Sequence, residues 1–139
     1  MKWILTCFFV LTCTFLINAQ NPFEGVWLTQ NKLGRISVKH IGNGVYSGKL
    51  VWIKSTVPNG QAILDINNDD EKLRSRKLMG LELFKNVKTI ETNKIKGQIY
   101  DPYRGKTFTC EIWPESEDIL NIKAYWGILH QTIQWQRVK

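Results

Sequence analysis

Apolar and polar positions alternate along most of this chain, the two-residue period of strands with one buried face. Arg35–Ile41 places Ile36, Val38 and His40 on one face and Arg35, Ser37 and Lys39 on the other. Gly42-Asn43-Gly44 is a turn signal, and it joins that run to Val45–Ile53 as a hairpin. Lys94–Tyr100 sets Ile95, Gly97 and Ile99 against Lys94, Lys96 and Gln98, and Lys106–Trp113 turns Phe108, Cys110 and Ile112 inward. Phe23–Thr29, a short Leu81–Lys85, Ile119–Trp126 and His130–Arg137 complete about eight predicted strands. Asp101-Pro102-Tyr103-Arg104-Gly105 and Gly127 read as turns, and Pro114–Glu117 reads as a break after the sixth strand. Such a meander leaves two open edges unless it closes, so the pattern predicts an all-β, antiparallel up-and-down barrel in one domain.

One stretch departs from this rhythm. Lys54 to Gly80 is polar and rich in Pro, Gly, Asn and Asp. It predicts a long connection carrying a short helix, with Asn68 as N-cap and Asp69, Asp70 and Glu71 in the first turn, where negative charge suits the helix dipole. Long connections in compact domains are uncommon and often functional.

The other departure is at the start. After Met1 and Lys2, the run Trp3–Ile17 is almost wholly apolar, and Asn18-Ala19-Gln20 follows. This is the layout of a secretory signal cut after Ala19, giving a leader over 1–19 and a domain over 20–139. A membrane span takes about 20 apolar residues, and this run is shorter and interrupted by Thr6, Thr12 and Thr14. Cys13 follows Thr12 and precedes more apolar sequence, which argues against a lipid anchor. Removing the leader also removes Cys7 and Cys13, so Cys110 remains alone and the domain must hold by packing. The full chain carries a net charge of +7; without Lys2, 18 Lys and Arg face 12 Asp and Glu, a charge of +6. Export turns such charge away from nucleic acid and toward anionic envelope components or acidic ligands.

Motifs for chemistry are weak. Gly105-Lys106-Thr107 lacks both the upstream glycine, since position 100 is Tyr100, and the following helix that a phosphate loop needs. Asp65, Asn67 and Asp69 have the spacing of calcium-loop donors, but Asp70 stands where that loop needs Gly and Arg76 where it needs Glu. Asx turns and a helix cap account for the segment better, with Asp65 or Asp70 available to pair with Arg74 or Arg76. His40 and His130 have no evident nucleophile, and Cys110 alternates with core residues as an inert thiol does. No cofactor and no metal are expected.

Gly25-Val26-Trp27 lies in the first strand and Trp135-Gln136-Arg137 in the last. If the sheet closes, Arg137 can stack over the Trp27 indole and plug one end. A Gly-x-Trp paired with a late Arg resembles the signature of lipocalins and fatty-acid-binding proteins, which implies a barrel with an interior ligand cavity. A longer series of blocks covers nearly the whole domain: Gly48-Lys49-Leu50-Val51-Trp52, Asp65-x-Asn67-Asn68-x-Asp70, Leu73-Arg74-x-Arg76-x-Leu78-x-Gly80-Leu81, Gly97-x-Ile99-Tyr100-Asp101-Pro102 and Gly105-Lys106-Thr107. With Trp27 and Arg137, these resemble an exported bacterial family catalogued as domain of unknown function 2147. That family has proline where Asp69 and Lys77 stand here, so the long connection is less constrained in this member. The resemblance implies export and a β-barrel, with no established activity.

The expectation is therefore a periplasmic or secreted, lipocalin-like barrel that binds a small amphipathic or acidic ligand without catalysis. The Asp65–Arg76 connection would rim its mouth, with Arg74, Arg76, Tyr100 and Lys106 as polar contacts for the ligand or as parts of a salt-bridged lid. Trp27, Arg137, Asp65, Asn67, Asn68, Asp70 and Asp101 are the structural signature. Two alternatives stand beside this: an envelope protein-interaction domain with a solid core, and an enzyme acting on envelope lipids or glycans. Contact with a membrane surface fits the charge.

Overall fold

Residues 20–139 other than Thr56 are described by the structure, a computed structural model. The expected leader over 1–19 lies outside the described residues. Eight strands follow one another around a closed, wholly antiparallel barrel: β1 (Gly25–Leu28), β2 (Gly34–His40), β3 (Val45–Ile53), β4 (Phe84–Glu91), β5 (Lys94–Asp101), β6 (Lys106–Ser116), β7 (Ile119–Trp126) and β8 (Leu129–Arg137). Each pairs with its neighbour in sequence, and β8 returns to β1 through Trp27–Arg137 and Leu28–Gln136. Up-and-down order puts the β1–β2, β3–β4, β5–β6 and β7–β8 connections at one end, here called the mouth. The other connections, residues 20–24 before β1 and residues 138–139 after β8 stand at the far end.

The interior follows from the alternation. Ile36, Val38, Ile95, Cys110, Ile112, Leu120, Ile122 and Trp135 are buried in one core with Phe23, Trp27, Tyr46 and Val87. Gly48 is required by that packing, because a Cβ there would lie 2.7 Å from the Phe84 ring.

Two seams are narrow. β1 meets β8 over only two pairs. β3 meets β4 at Val45–Lys88 and Tyr46–Val87, after which the strands part. The Glu82 carboxylate fills that second gap, accepting from the Gly48 N–H at 2.8 Å and the Ser47 hydroxyl at 2.5 Å. Main-chain bonds from Leu83 to Gly48 and from Leu50 to Leu81 continue the seam.

Four local expectations change. His40 is exposed, because β2 runs past the core at its far end. The fourth strand begins at Phe84 and reaches Glu91, since a bulge at Asn86, in left-handed backbone, resets its register. Pro114 does not end β6; the strand continues to Ser116 with a register shift there, Pro114 itself facing Leu120 on β7. The helix is a single 3-10 turn, Glu71–Leu73, capped by Asp70 rather than Asn68. Asn68 is instead buried, with its Oδ1 closing an Asx turn on the Asp70 N–H at 2.8 Å.

Candidate functional site

Burial falls steadily toward the mouth along the last hairpin. The pairs Leu120–Trp135, Ile122–Ile133, Ala124–Gln131 and Trp126–Leu129 place these residues on the inward row of β7 and β8. Leu120, Ile122 and Trp135 are 1–2 % exposed, whereas Trp126 is 40 % and Leu129 58 % exposed. On β6 the same row passes from buried Ile112 and Cys110 to partly exposed Phe108, whose ring meets Trp126 edge-on at 6.0 Å. The far half of the barrel is filled, and its mouth half presents an apolar wall that nothing in the described residues covers. Trp135 stacks on Phe84 at the base of that wall, with ring centroids 6.4 Å apart. Its indole N–H is buried and has no acceptor among the described residues. The two depressions that stand out among those residues lie elsewhere, on the outside, at Glu91–Lys94 with Trp113 and Pro114 and along β1–β2 near Glu24 and His40.

Beside the mouth, the long connection is clasped to the outer wall. Tyr100 alternates with inward Ile99, so its side chain faces outward. There its hydroxyl donates to Asp65 Oδ1 at 2.5 Å. Asp65 is fully buried and its Oδ2 accepts from Arg76 Nε and Asn68 Nδ2, both at 2.8 Å. The Arg76 guanidinium lies 5.1 Å from the centre of the Tyr100 ring, and Arg74 Nε donates to the Asn68 carbonyl at 2.8 Å. Burial, and then the Asp65 carboxylate, push the Tyr100 phenol up to about 12, against an opposing pull from Arg76. Asn67 reaches the Tyr103 carbonyl at 3.1 Å, and the Asp69 N–H bonds the Gly105 carbonyl. A Cβ at Gly105 would land on the Asn67 carbonyl, in a backbone at φ +67° that already favours glycine. That close approach explains a Gly which the sequence read only as a turn residue.

Of the expected contacts, the structure thus brings Arg76 and Tyr100 together with Asp65 and Asn68, with Arg74 at the cluster's edge. Lys106 stands apart, exposed at the start of β6 opposite Asp101, which itself pairs with Arg104 at 3.0 Å. The mouth wall of Phe108, Trp126, Leu129 and Ile133 was not singled out from the sequence. Its signal was there, in apolar Trp126 and Leu129 flanking the Gly127-Ile128 turn at inward positions.

The far end is plugged. The Arg137 guanidinium stacks 4.2 Å over the Trp27 ring, while Nη1 donates to the Glu24 carbonyl at 2.7 Å and Nε to the Glu117 carbonyl at 2.8 Å. The Trp27 indole N–H is satisfied by the Phe23 carbonyl. The two imidazoles lie outside the interior: His40 Nε2 accepts from the Gly44 N–H at 3.2 Å, and His130 packs near Tyr125. Neither ring is hydrogen-bonded to a carboxylate or thiol among the described residues, the Glu24 carboxylate meeting His40 only at its main-chain N–H, at 2.9 Å. Burial pushes the Cys110 thiol up to about 12, which leaves it protonated and unreactive at neutral pH. The described residues contain no group of three or more His, Cys, Asp or Glu placed to hold a metal ion.

A closed eight-stranded barrel with an aromatic–arginine plug at one end and a rimmed mouth at the other is lipocalin-like architecture. It is shared with a solved protein from Helicobacter pylori, HP1028, reported to belong to the lipocalin family. The two superpose with a TM-score of 0.69 at 23 % identity, over 84 % of this chain and 83 % of the other. Residues 25–137 match the family described as an uncharacterized protein conserved in bacteria, DUF2147, and the chain belongs to that family. No curated protein matches the sequence.

Proposed function

We propose that this protein is an exported, non-catalytic carrier that takes a small amphiphile into the mouth half of its barrel. The observation that carries this reading is the Trp135 indole N–H, buried inside the barrel without an acceptor among the described residues. Leaving such a donor unpaired costs about 1–3 kcal/mol, so a guest that brings an oxygen acceptor is favoured there. Ile133, Phe108, Trp126 and Leu129 form an apolar approach to it, which suits a ligand of mainly hydrocarbon body with a carbonyl or hydroxyl oxygen. An acidic group on the same molecule fits at the rim, beside exposed Lys54 and Lys106. The Asp65 clasp holds the long connection next to that opening. Export rests on the leader-like pattern of residues 1–19.

Native mass spectrometry of the protein purified from its own host tests this. The expected result is an added mass that leaves on denaturation and is absent from a Trp135→Phe variant. A clean apo mass under gentle conditions, with Trp135→Phe as stable as the parent or more so, sinks the carrier. It would favour the second reading, a protein-interaction domain, which the solid packing of the far half supports.

A further inference from the structure

The exposed apolar side chains are unevenly placed. Leu33, Ile66, Tyr103, Trp126, Ile128 and Leu129 are all at least 36 % exposed, and all stand at the mouth. Ile66 is held there because its neighbour Asn67 bonds the β5–β6 turn. The far end and the strand halves next to it offer Ile41 and Ile90. The most prominent residue is Ile128, 99 % exposed in the two-residue turn of the β7–β8 hairpin. That hairpin projects because β1 stops at Leu28. β8 is therefore flanked by β1 only at Gln136 and Arg137, and the Gln30 side chain takes the Gln134 N–H at 2.8 Å. Its mouth-side half, from Leu129 to Ile133, is paired with β7 alone.

Charge at this end is also lopsided. Lys32, beside Leu33, and Lys54 and Lys106 have no carboxylate within ion-pair distance among the described residues. Most nearby carboxylates are engaged internally: Asp65 in the clasp, Asp70 as the cap of the 3-10 turn, Asp101 on Arg104 and the Tyr103 N–H, and Glu71 on Arg74; exposed Asp69, held beside Gly105 by its main chain, is the exception. Protruding Ile, Trp and Leu side chains among uncommitted lysines are complementary to a layer that is apolar beneath an anionic surface. We infer that the mouth end docks on a negatively charged lipid surface, with the Ile128 tip inserted among the acyl chains and Lys32, Lys54 and Lys106 on the headgroups.

Lys54 and Lys106 are shared with the rim of the proposed ligand seat, but Ile128 lies outside it, so the Ile128 variant reads docking separately from carriage. The test is flotation of residues 20–139, which contain every strand and core residue described above and lack the apolar leader. Vesicles of phosphatidylglycerol and phosphatidylcholine in equal parts are compared with pure phosphatidylcholine. The protein is expected to float with the anionic vesicles, less at high salt, and Ile128→Asp is expected to weaken this by about tenfold or more. Lys106→Glu should weaken it about fivefold, as loss and reversal of one headgroup contact. Ile41→Asp, at a well-exposed isoleucine of the opposite end, should float like the parent. Equal flotation of the Ile128→Asp and Ile41→Asp variants overturns the proposal, as does no preference for anionic vesicles. A concentration-dependent dimer in sedimentation that Ile128→Asp abolishes would also overturn it, assigning the face to a second copy. Binding of a soluble amphiphile that persists in Ile128→Asp would separate failed docking from failed carriage.

Discussion

An arginine stacked on an aromatic ring closes each of two regions of this barrel, and the two pairs are backed differently. At the far end Arg137 covers Trp27 and donates only to main-chain carbonyls, so it seals strand ends over a buried apolar core. Beside the mouth Arg76 covers Tyr100 on the outer wall and donates to a buried carboxylate, which ties a long connection to the barrel. The first arrangement belongs to the hydrophobic core and the second to a polar cluster around one charge. Stability at the far end should therefore follow buried volume, and beside the mouth it should follow hydrogen bonding and pH.

The largest effect expected from that contrast is at Trp27, which is fully buried. Trp27→Ala should cost about 4 kcal/mol, the range for deleting a buried aromatic, read as a lowered urea midpoint. It would also strip Arg137 of its stacking surface. A loss under about 1.5 kcal/mol, the size of a volume-conserving swap, would mean that the far end is not the packed half. Asp65→Ala should come next, at about 3 kcal/mol, because it takes the acceptor from Arg76 Nε and the Tyr100 hydroxyl and leaves Asn68 Nδ2 only the Tyr100 oxygen. The figure sits at the low end for a broken buried pair because Arg76 keeps a third of its side-chain surface in water. Proteolysis within the 54–80 connection should accelerate in the same variant while the strands stay protected. Uniform loss of protection would merge the two regions into one.

The far end was largely legible in the sequence. Period-two alternation located the strands, and Trp27 and Arg137 became neighbours as soon as closure was assumed, since first and last strands must then pair. The region beside the mouth was legible only as a list of residues. Asp65, Asn68, Arg76 and Tyr100 could be named, but whether Tyr100 faced in or out depended on its phase relative to Ile99. The partner of Asp65 depended on where an irregular chain of more than twenty residues would fold back. Asn68 looked like a helix cap because the local pattern Asn-Asp-Asp-Glu carries that chemistry, and burial against Tyr100 overrode it. Irregular backbone has no period to read, and the β4 bulge and the run of β6 through Pro114 were lost for the same reason.

Tyr100→Phe probes the mouth-side pair more gently. It removes the bond the hydroxyl donates to a charged acceptor and the one it accepts from Asn68 Nδ2 at 3.0 Å, while keeping the ring under Arg76, so the cost should be about 2 kcal/mol. Its signature is in the pH dependence. The folded phenol titrates near 12 and the unfolded one near 10, so the fold holds this proton more tightly. Its contribution is complete below pH 10 and drains away between pH 10 and 12. The difference in stability between parent and Tyr100→Phe should be constant up to about pH 10 and shrink above it. A difference unchanged at the highest pH would place the phenol outside the cluster.

The smallest effect separates the two ends along a single hairpin. Leu120 and Leu129 both face inward on the β7–β8 ladder, Leu120 opposite Trp135 and Leu129 opposite Trp126. Leu120 is 1 % exposed and Leu129 58 % exposed. The same substitution should therefore read as two different changes. Leu120→Ser removes buried methyl groups, leaves a cavity and introduces a hydroxyl into the core, for about 3 kcal/mol or more. Leu129→Ser replaces a side chain that already meets solvent, and the urea midpoint should move by no more than about 0.5 kcal/mol in equivalent stability. Leu129 then contributes to whatever the mouth receives rather than to the fold. A loss above about 1.5 kcal/mol for Leu129→Ser would show that the packed half extends to the rim, and no apolar wall would be left over for a guest.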